Sequence, residues 1–184
     1  MEEKRMYETW LGQNGLMHTG MVCEKVNDFT VIECDHCKFK HVIPLPTAEE
    51  LNTIYSHEYY TTEKPLYIER YLEDKAWWDG VYAGRYEVLE KNSGQSNGRI
   101  LDVGSGPGLF LSMGKARGWD VKGVEPSAKA AEYSREILGL DIDEIFLTNS
   151  TAPSLGTFDA VNMGEVLEHL PDPAGMLDIA HGLL

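Results

Sequence analysis

The sequence predicts an α/β protein: an open, doubly wound, mostly parallel sheet, preceded by a small cysteine-bearing domain and a helical linker. Three observations carry this expectation. From Arg99 onward, short apolar runs alternate with helical stretches, the pattern of parallel strands joined by crossover helices. Directly after the first run, LDVGSGPGLF sets glycines at positions 104, 106 and 108. All three cysteines, Cys23, Cys34 and Cys37, fall before Pro46.

Residues 1–46 form the first region, with strand-like alternation in FTVIEC. Residues 47–98 read as helical. Thr47 followed by Glu50 is a capping-box signature, and a second helix is expected over Ala76–Lys91, before the boundary loop NSGQSNG. Residues 99–184 carry the sheet. RILDVG is a buried parallel strand closed by glycine, and a helix over Gly108–Arg117 ends at Gly118. WDVKGVEP is the second strand; Ser127 caps the helix AKAAEYSREIL and Gly139 stops it. DEIFL and FDAVNMG are the expected third and fourth strands. Asp172 caps a last helix with Pro173 in its first position. The sequence stops inside that fourth crossover, so the sheet is expected to be incomplete on its C-terminal side.

Composition narrows the partners. Lys and Arg number 16 against 30 Asp and Glu, a formal charge of −14. Such a surface repels a phosphate backbone, which argues against nucleic acid. No apolar run has the length of a signal peptide or a membrane span. Odd cysteine usage without an export signal speaks against a disulfide framework. A cytoplasmic protein with no membrane partner is expected.

Glycine density after a strand opens the backbone to a ligand. A dinucleotide fingerprint needs G-x-G-x-x-G, but Leu109 holds the place of its third glycine. No P-loop lysine follows either. Asp102 precedes the glycines, and Glu125 closes the second strand, at the carboxyl end where doubly wound sheets bind ligands. Glu125 is placed to accept the two hydroxyls of a ribose.

The segments ILDVGSGPGLFL, GVEPS and FDAVNMGEVLEHLPDP together resemble class I S-adenosylmethionine-dependent methyltransferases over about residues 99–184. The resemblance implies a Rossmann-like fold and S-adenosylmethionine as cofactor. It places Gly104, Ser105, Gly106 and Gly108 against the cofactor, with Asp102 supporting that turn or the cofactor's amino group. Glu125 and Pro126 would hold the ribose. Thr148 and Asn149 would flank the adenine, although this segment departs from the family's acidic pattern. Met163 and Gly164 would line the methyl-bearing end.

Methyl transfer is a displacement at an activated carbon, so orientation and a positioned base are what the protein adds. His169 suits the base, because its ordinary pKa lies near working pH. Glu168 is its neighbouring candidate, and Glu165 a more distant one. Tyr59, Tyr60, Trp77, Trp78 and Tyr82 are candidates for an aromatic lid over the acceptor, against ordinary helix packing.

Cys34-x-x-Cys37 is a knuckle that sets two thiolates on one metal. Cys23 is the expected third ligand, with a histidine as the fourth. His18, His36 and His41 are available, and His18 with Cys23 makes an opposing knuckle. Structural zinc contributes on the order of 10–16 kcal/mol in small domains, which suits an N-terminal region too short to fold comfortably alone. The expectation is a zinc-ribbon-like domain held by His18, Cys23, Cys34 and Cys37. This region also resembles the zinc-binding leader of bacterial methyltransferases, many associated with sugar modification. That leader has two Cys-x-x-Cys pairs and a glycine after the last cysteine, where this chain has Cys23 alone and Lys38. His41 falls at a position usually aromatic in that leader.

Together these readings imply methyl transfer to a small polar metabolite such as a nucleotide-linked sugar. Two other functions fit parts of the sequence: a zinc-dependent interaction module with an incomplete methyltransferase core, and a nicotinamide-dependent oxidoreductase.

Overall fold

A computed structural model describes residues 6–12 and 15–184. The chain divides into two compact units, Met1–Leu51 and Asn52–Leu184.

The first unit is an antiparallel meander of β1 (Tyr7–Leu11), β2 (Met17–Val26), β3 (Phe29–Cys34) and β4 (Lys40–Ile43), in that spatial order. In β3 every second side chain is buried: Thr30, Ile32 and Cys34. This is the period-2 pattern of a sheet with one covered face. Ile32, Cys34 and Ile43 form its small core, with Trp10, Val22 and Cys37 against it. Register slips by one residue between Val22 and Glu24, a bulge at Cys23 that re-aims the side chains beyond it.

Thr47 and Glu50 open α1 (Ala48–Thr53) with the expected reciprocal bonds. The Thr47 amide donates to Glu50 Oε2 at 2.7 Å, and the Glu50 amide donates to Thr47 Oγ1 at 3.0 Å. The helix then widens to π-helical pitch over Ile54–Glu63.

In the second unit, α2 (Tyr67–Glu73) and α3 (Lys75–Ser93) precede a parallel sheet. That sheet contains β5 (Arg99–Val103), β6 (Asp120–Val124), β7 (Asp141–Asp143) and β8 (Ala160–Asn162), in spatial order β7-β6-β5-β8. Helices α4 (Leu109–Ala116) and α5 (Ala128–Glu136) cross between strands, and α6 (Pro173–His181) follows β8. Successive residues of β5 enter different cores, which is how a doubly wound sheet covers both faces. Ile100 joins Tyr71, Tyr82, Tyr86, Phe110 and Trp119 on one side. Leu101 and Val103 join Val124, Leu147, Phe158 and Leu183 on the other. Helices α2 and α3, within the stretch expected as a linker, thus contribute to the second unit's core.

Two local expectations are corrected. The third strand is Asp141–Asp143 rather than the apolar DEIFL. Ile142 pairs with Gly123 and is buried, while Lys122 Nζ donates to Asp141 and Asp143 at 2.7 and 2.8 Å, so the flanking acids are satisfied. Ser127 stands at the N-cap of α5, but its side chain makes no capping bond. Its amide donates instead to Glu125 Oε1 at 2.9 Å. Asp172 does cap α6, accepting from the Gly175 amide at 2.9 Å.

Among the described residues, no helix is long and apolar enough to cross a membrane.

Candidate functional site

The second unit gathers its chemistry at the carboxyl ends of β5, β6 and β8. Between β5 and α4 the chain turns through left-handed conformations at Gly104, Gly106 and Gly108. Amides of Gly104 and Ser105 both donate to the Val124 carbonyl, at 2.9 and 3.2 Å, tying the turn to the end of β6. The three glycines do different work. A side chain on Gly106 would meet the Tyr60 hydroxyl at 2.6 Å, whereas one on Gly108 would run into Leu140 Cδ1 at 2.5 Å and Ser134 Oγ at 2.8 Å. Gly106 makes room for the Tyr60 hydroxyl over the turn; Gly108 lets the turn pack against α5 and the chain after it.

Glu125 is the anchor of this turn. Its Oε2 accepts from the Gly106 amide at 2.8 Å and its Oε1 from the Ser127 amide. Burial pushes its carboxyl up to about 7, although those two amide bonds favour the charged form. Asp102, buried at the end of β5, is likewise pushed up to about 7 by burial. Asn162 Nδ2 donates to Asp102 Oδ1 at 2.6 Å and opposes that rise, while the charge of Glu125 adds to it and that of Arg85 opposes it. A pair of buried carboxyls shifted toward neutrality beside a glycine-lined cleft is a functional-site signature.

The other expected positions divide. Ser105 is buried, with its hydroxyl 2.7 Å from where a side chain on Gly123 would begin, so it faces the sheet rather than the cleft. Pro126 is half-buried between Glu125 and Ser127. Thr148 and Asn149 lie in an exposed turn that closes on itself, Thr148 Oγ1 bonding Ser150 Oγ at 2.9 Å and Thr151 Oγ1 at 3.1 Å. Met163 packs against the second core cluster. Gly164 lies under Arg85, whose Nη1 is 3.1 Å from the position of a Cβ there. Glu165 has a left-handed backbone, φ 58°. Glu168 and His169 are exposed on a 3-10 turn, Leu167–His169, and the Tyr55 ring stands edge-on to His169 at 5.7 Å.

Two participants carry no sequence signal. Asn162 lies in FDAVNMG with no motif to single it out, and Arg85 lies on α3 without a motif. Arg85 and Asn162, with Val81, Val88 and Phe110, line a separate hollow of about 450 Å3 along the edge strand β8.

In the first unit, His18, Cys34, Cys37 and His41 come together, with one ligand atom from each lying within 4.8 Å of the others. His18 Nδ1 is 3.4 Å from Cys37 Sγ, 3.8 Å from Cys34 Sγ and 3.3 Å from His41 Nε2. Tetrahedral bonds of about 2.3 Å to sulfur and 2.0–2.1 Å to nitrogen hold donor atoms roughly 3.3–3.8 Å apart, so this donor set fits one zinc ion. Burial resists ionisation of Cys34, but donors from Cys37, His41 and His36 outweigh it and pull the thiol down to about 7. Lys38, where the leader has glycine, takes the left-handed conformation itself, φ 64°. Cys23 is corrected: it is exposed, its thiol turned to the Met21 carbonyl, and it stands outside the cluster. The bulge at that point removes it from the covered face, and His41 on β4, opposite Ile32, takes its place.

Known proteins agree with this architecture. A family described as a methyltransferase domain matches residues 79–184. The ubiquinone biosynthesis O-methyltransferase of Ralstonia nicotianae is 29% identical over 133 residues, 64% of this chain and 56% of that protein. The enzyme of the same name from Aromatoleum aromaticum is 31% identical over 125 residues, 60% of this chain and 53% of that protein. The chain therefore spans about half the length of these curated relatives. Magnesium protoporphyrin IX methyltransferase from Synechocystis, solved with bound S-adenosylmethionine, superposes with a TM-score of 0.59 at 17% identity, covering 75% of this chain and 74% of that one. The plantazolicin methyltransferase, solved with S-adenosylhomocysteine, gives 0.56 at 14% identity, covering 73% and 52%. Both likenesses show the fold. With more than half of its residues matched by the family and the glycine turn, buried acids and parallel sheet in place, the chain belongs to the methyltransferase domain family.

Proposed function

We propose that this chain binds S-adenosylmethionine in the cleft above Gly104 and Gly106 and serves methyl transfer to a small-molecule acceptor. The observation that carries the reading is the joint of Glu125 to the glycine turn, a buried carboxylate held on the Gly106 and Ser127 amides at the carboxyl end of β6. A side chain at Gly106 would drive the Tyr60 hydroxyl off the turn, and the acids beside it suit a ligand that carries hydroxyls and positive charge. S-adenosylmethionine supplies the activated methyl group when bound. Asp102, fixed by Asn162, and Glu125 orient the ligand and set the charge of the cleft. His169 is the residue suited to take a proton from the acceptor, with Tyr55 packed on its ring.

The acceptor is a small molecule by analogy with the relatives, whose names concern ubiquinone biosynthesis and a magnesium porphyrin. The nucleotide-linked sugar rests on the N-terminal resemblance alone. In the first unit, His18, Cys34, Cys37 and His41 hold one structural zinc ion in this reading.

Calorimetric titration with S-adenosylhomocysteine tests the cofactor assignment, with NAD as a control. Micromolar binding that is lost in Glu125→Ala, with no response to NAD, is expected. Absence of binding by the wild-type chain overturns the assignment.

A further inference from the structure

The aromatic residues expected as a lid over the acceptor do not act as one group. Trp78 and Tyr82 stack along α3 and join the core, while Trp77 stands edge-on to Trp78 and is exposed. Tyr55, Tyr59 and Tyr60 lie on the π-helical stretch Ile54–Glu63 and form an aromatic chain with Tyr67. Ring centroids are 5.7 Å apart for Tyr55 and Tyr59, 4.9 Å for Tyr59 and Tyr60, and 5.5 Å for Tyr60 and Tyr67.

This stretch reaches both the loop after β8 and the glycine turn. At one end Tyr55 meets His169, on the loop after β8. Toward the other, Tyr60 sets its hydroxyl 2.6 Å from the point where a side chain on Gly106 would begin. Lys129 of α5 fixes the segment there, donating to the Tyr60 carbonyl at 2.8 Å. Burial holds the Tyr60 phenol protonated far above its usual range, and the nearby Glu125 charge reinforces this. The hydroxyl is therefore a permanent donor. π-helical turns are rare and concentrate at functional sites, because the extra residue re-aims side chains that an α-helix would point elsewhere.

We propose that Tyr60 is a cofactor-binding residue, its hydroxyl seated over Gly106 and donating a hydrogen bond to the S-adenosyl ligand bound beside the glycine turn. This rests on the cofactor reading above and adds to it a residue from outside the strand-end motifs. The alternative role for a phenol in this position is a plug, which fills the cleft and must be displaced. The two roles predict opposite signs. A ligand-binding hydroxyl strengthens binding, whereas a plug weakens it.

The test is calorimetric titration of the chain with S-adenosylhomocysteine for wild type, Tyr60→Phe and Tyr60→Ala, with thermal melts of the ligand-free proteins. Loss of one hydrogen bond weakens binding about three- to tenfold in Tyr60→Phe, with the ligand-free melting temperature unchanged; Tyr60→Ala weakens it further. Equal or tighter binding by Tyr60→Phe overturns the proposal while leaving the cofactor reading intact. Should wild type itself fail to bind, the cofactor reading falls and Tyr60's role falls with it. Because Tyr60→Phe keeps the ring and its packing, a folding defect in Tyr60→Ala does not obscure the result.

Discussion

Asn162 Nδ2 donates to Asp102 Oδ1 at 2.6 Å, joining the neighbouring parallel strands β8 and β5 at the ends that face the cleft. The bond gives a buried carboxyl a short side-chain partner, but burial still raises Asp102 to about 7. A carboxyl raised in the folded state keeps its proton where the unfolded chain, at about 4, has lost it. Folding stability from this group is thus greatest at low pH and falls as pH rises toward 7. The slope reaches about 1.4 kcal/mol per pH unit for one proton. Denaturant unfolding of Asp102→Asn between pH 4.5 and 7.5 is expected to lack this decline, giving a flatter profile than wild type. Identical profiles would show that Asp102 titrates normally.

Ligand atoms in the first unit lead to a metal prediction. The purified chain is expected to carry one zinc ion, measured by elemental analysis. Cys37→Ser and His41→Ala lose it, because each removes one of four donors gathered within 4.8 Å of one another. Cys23→Ser retains it, since that thiol faces the Met21 carbonyl outside the cluster. Zinc loss in Cys23→Ser with retention in His41→Ala would restore the ligand set expected from sequence.

The contrast between Cys23 and His41 shows where sequence reading stops. The Cys34-x-x-Cys37 knuckle is local, so its spacing announces it. Which strand delivers the remaining donors depends on the bulge between Val22 and Glu24 and on the pairing of β3 with β4, and neither has a local signature. The glycine turn and Glu125 were legible for the same reason as the knuckle: short segments with forced conformations. Capping signals at Thr47 and Asp172 were legible too. Strand β7 was misplaced because the apolar run after it attracts the reading, while Lys122 on the adjacent strand makes two flanking acids acceptable. Tyr60 reaches Gly106 across a long stretch of chain, through a helix whose widened pitch no periodicity predicts.

Gly106 and Gly108 separate experimentally. Both have positive φ, 53° and 77°, so alanine at either carries backbone strain of about 1–3 kcal/mol. Only Gly108 adds a collision with Leu140 and Ser134, which are buried in the fold. Gly108→Ala is therefore expected to lower the melting temperature more than Gly106→Ala. In Gly106→Ala the obstacle is the tip of the Tyr60 side chain, and the larger loss is in S-adenosylhomocysteine affinity. Equal melting temperatures for the two variants would remove the distinction between the packing glycine and the cleft glycine.

Tyr86 offers a prediction about the core alone. Its ring is fully buried and stacks on Phe110 with centroids 4.5 Å apart, while its hydroxyl is buried without a hydrogen-bond partner among the described residues. That hydroxyl points at Gly114 of α4, where any side chain would collide with it. An unsatisfied buried hydroxyl costs about 1–3 kcal/mol, so Tyr86→Phe is expected to be neutral or stabilising in denaturant unfolding. Gly114→Ala alone overpacks this contact and destabilises by about 1–3 kcal/mol. In the double variant, removal of the hydroxyl makes room for the new methyl group. Alanine's better helix propensity then acts in its favour by about 1 kcal/mol. The double variant should therefore be more stable than the sum of the two single changes predicts, a coupling that a double-mutant cycle reads directly. Simple additivity would mean that α3 and α4 move apart to accommodate the added methyl group rather than meeting at the Tyr86 hydroxyl.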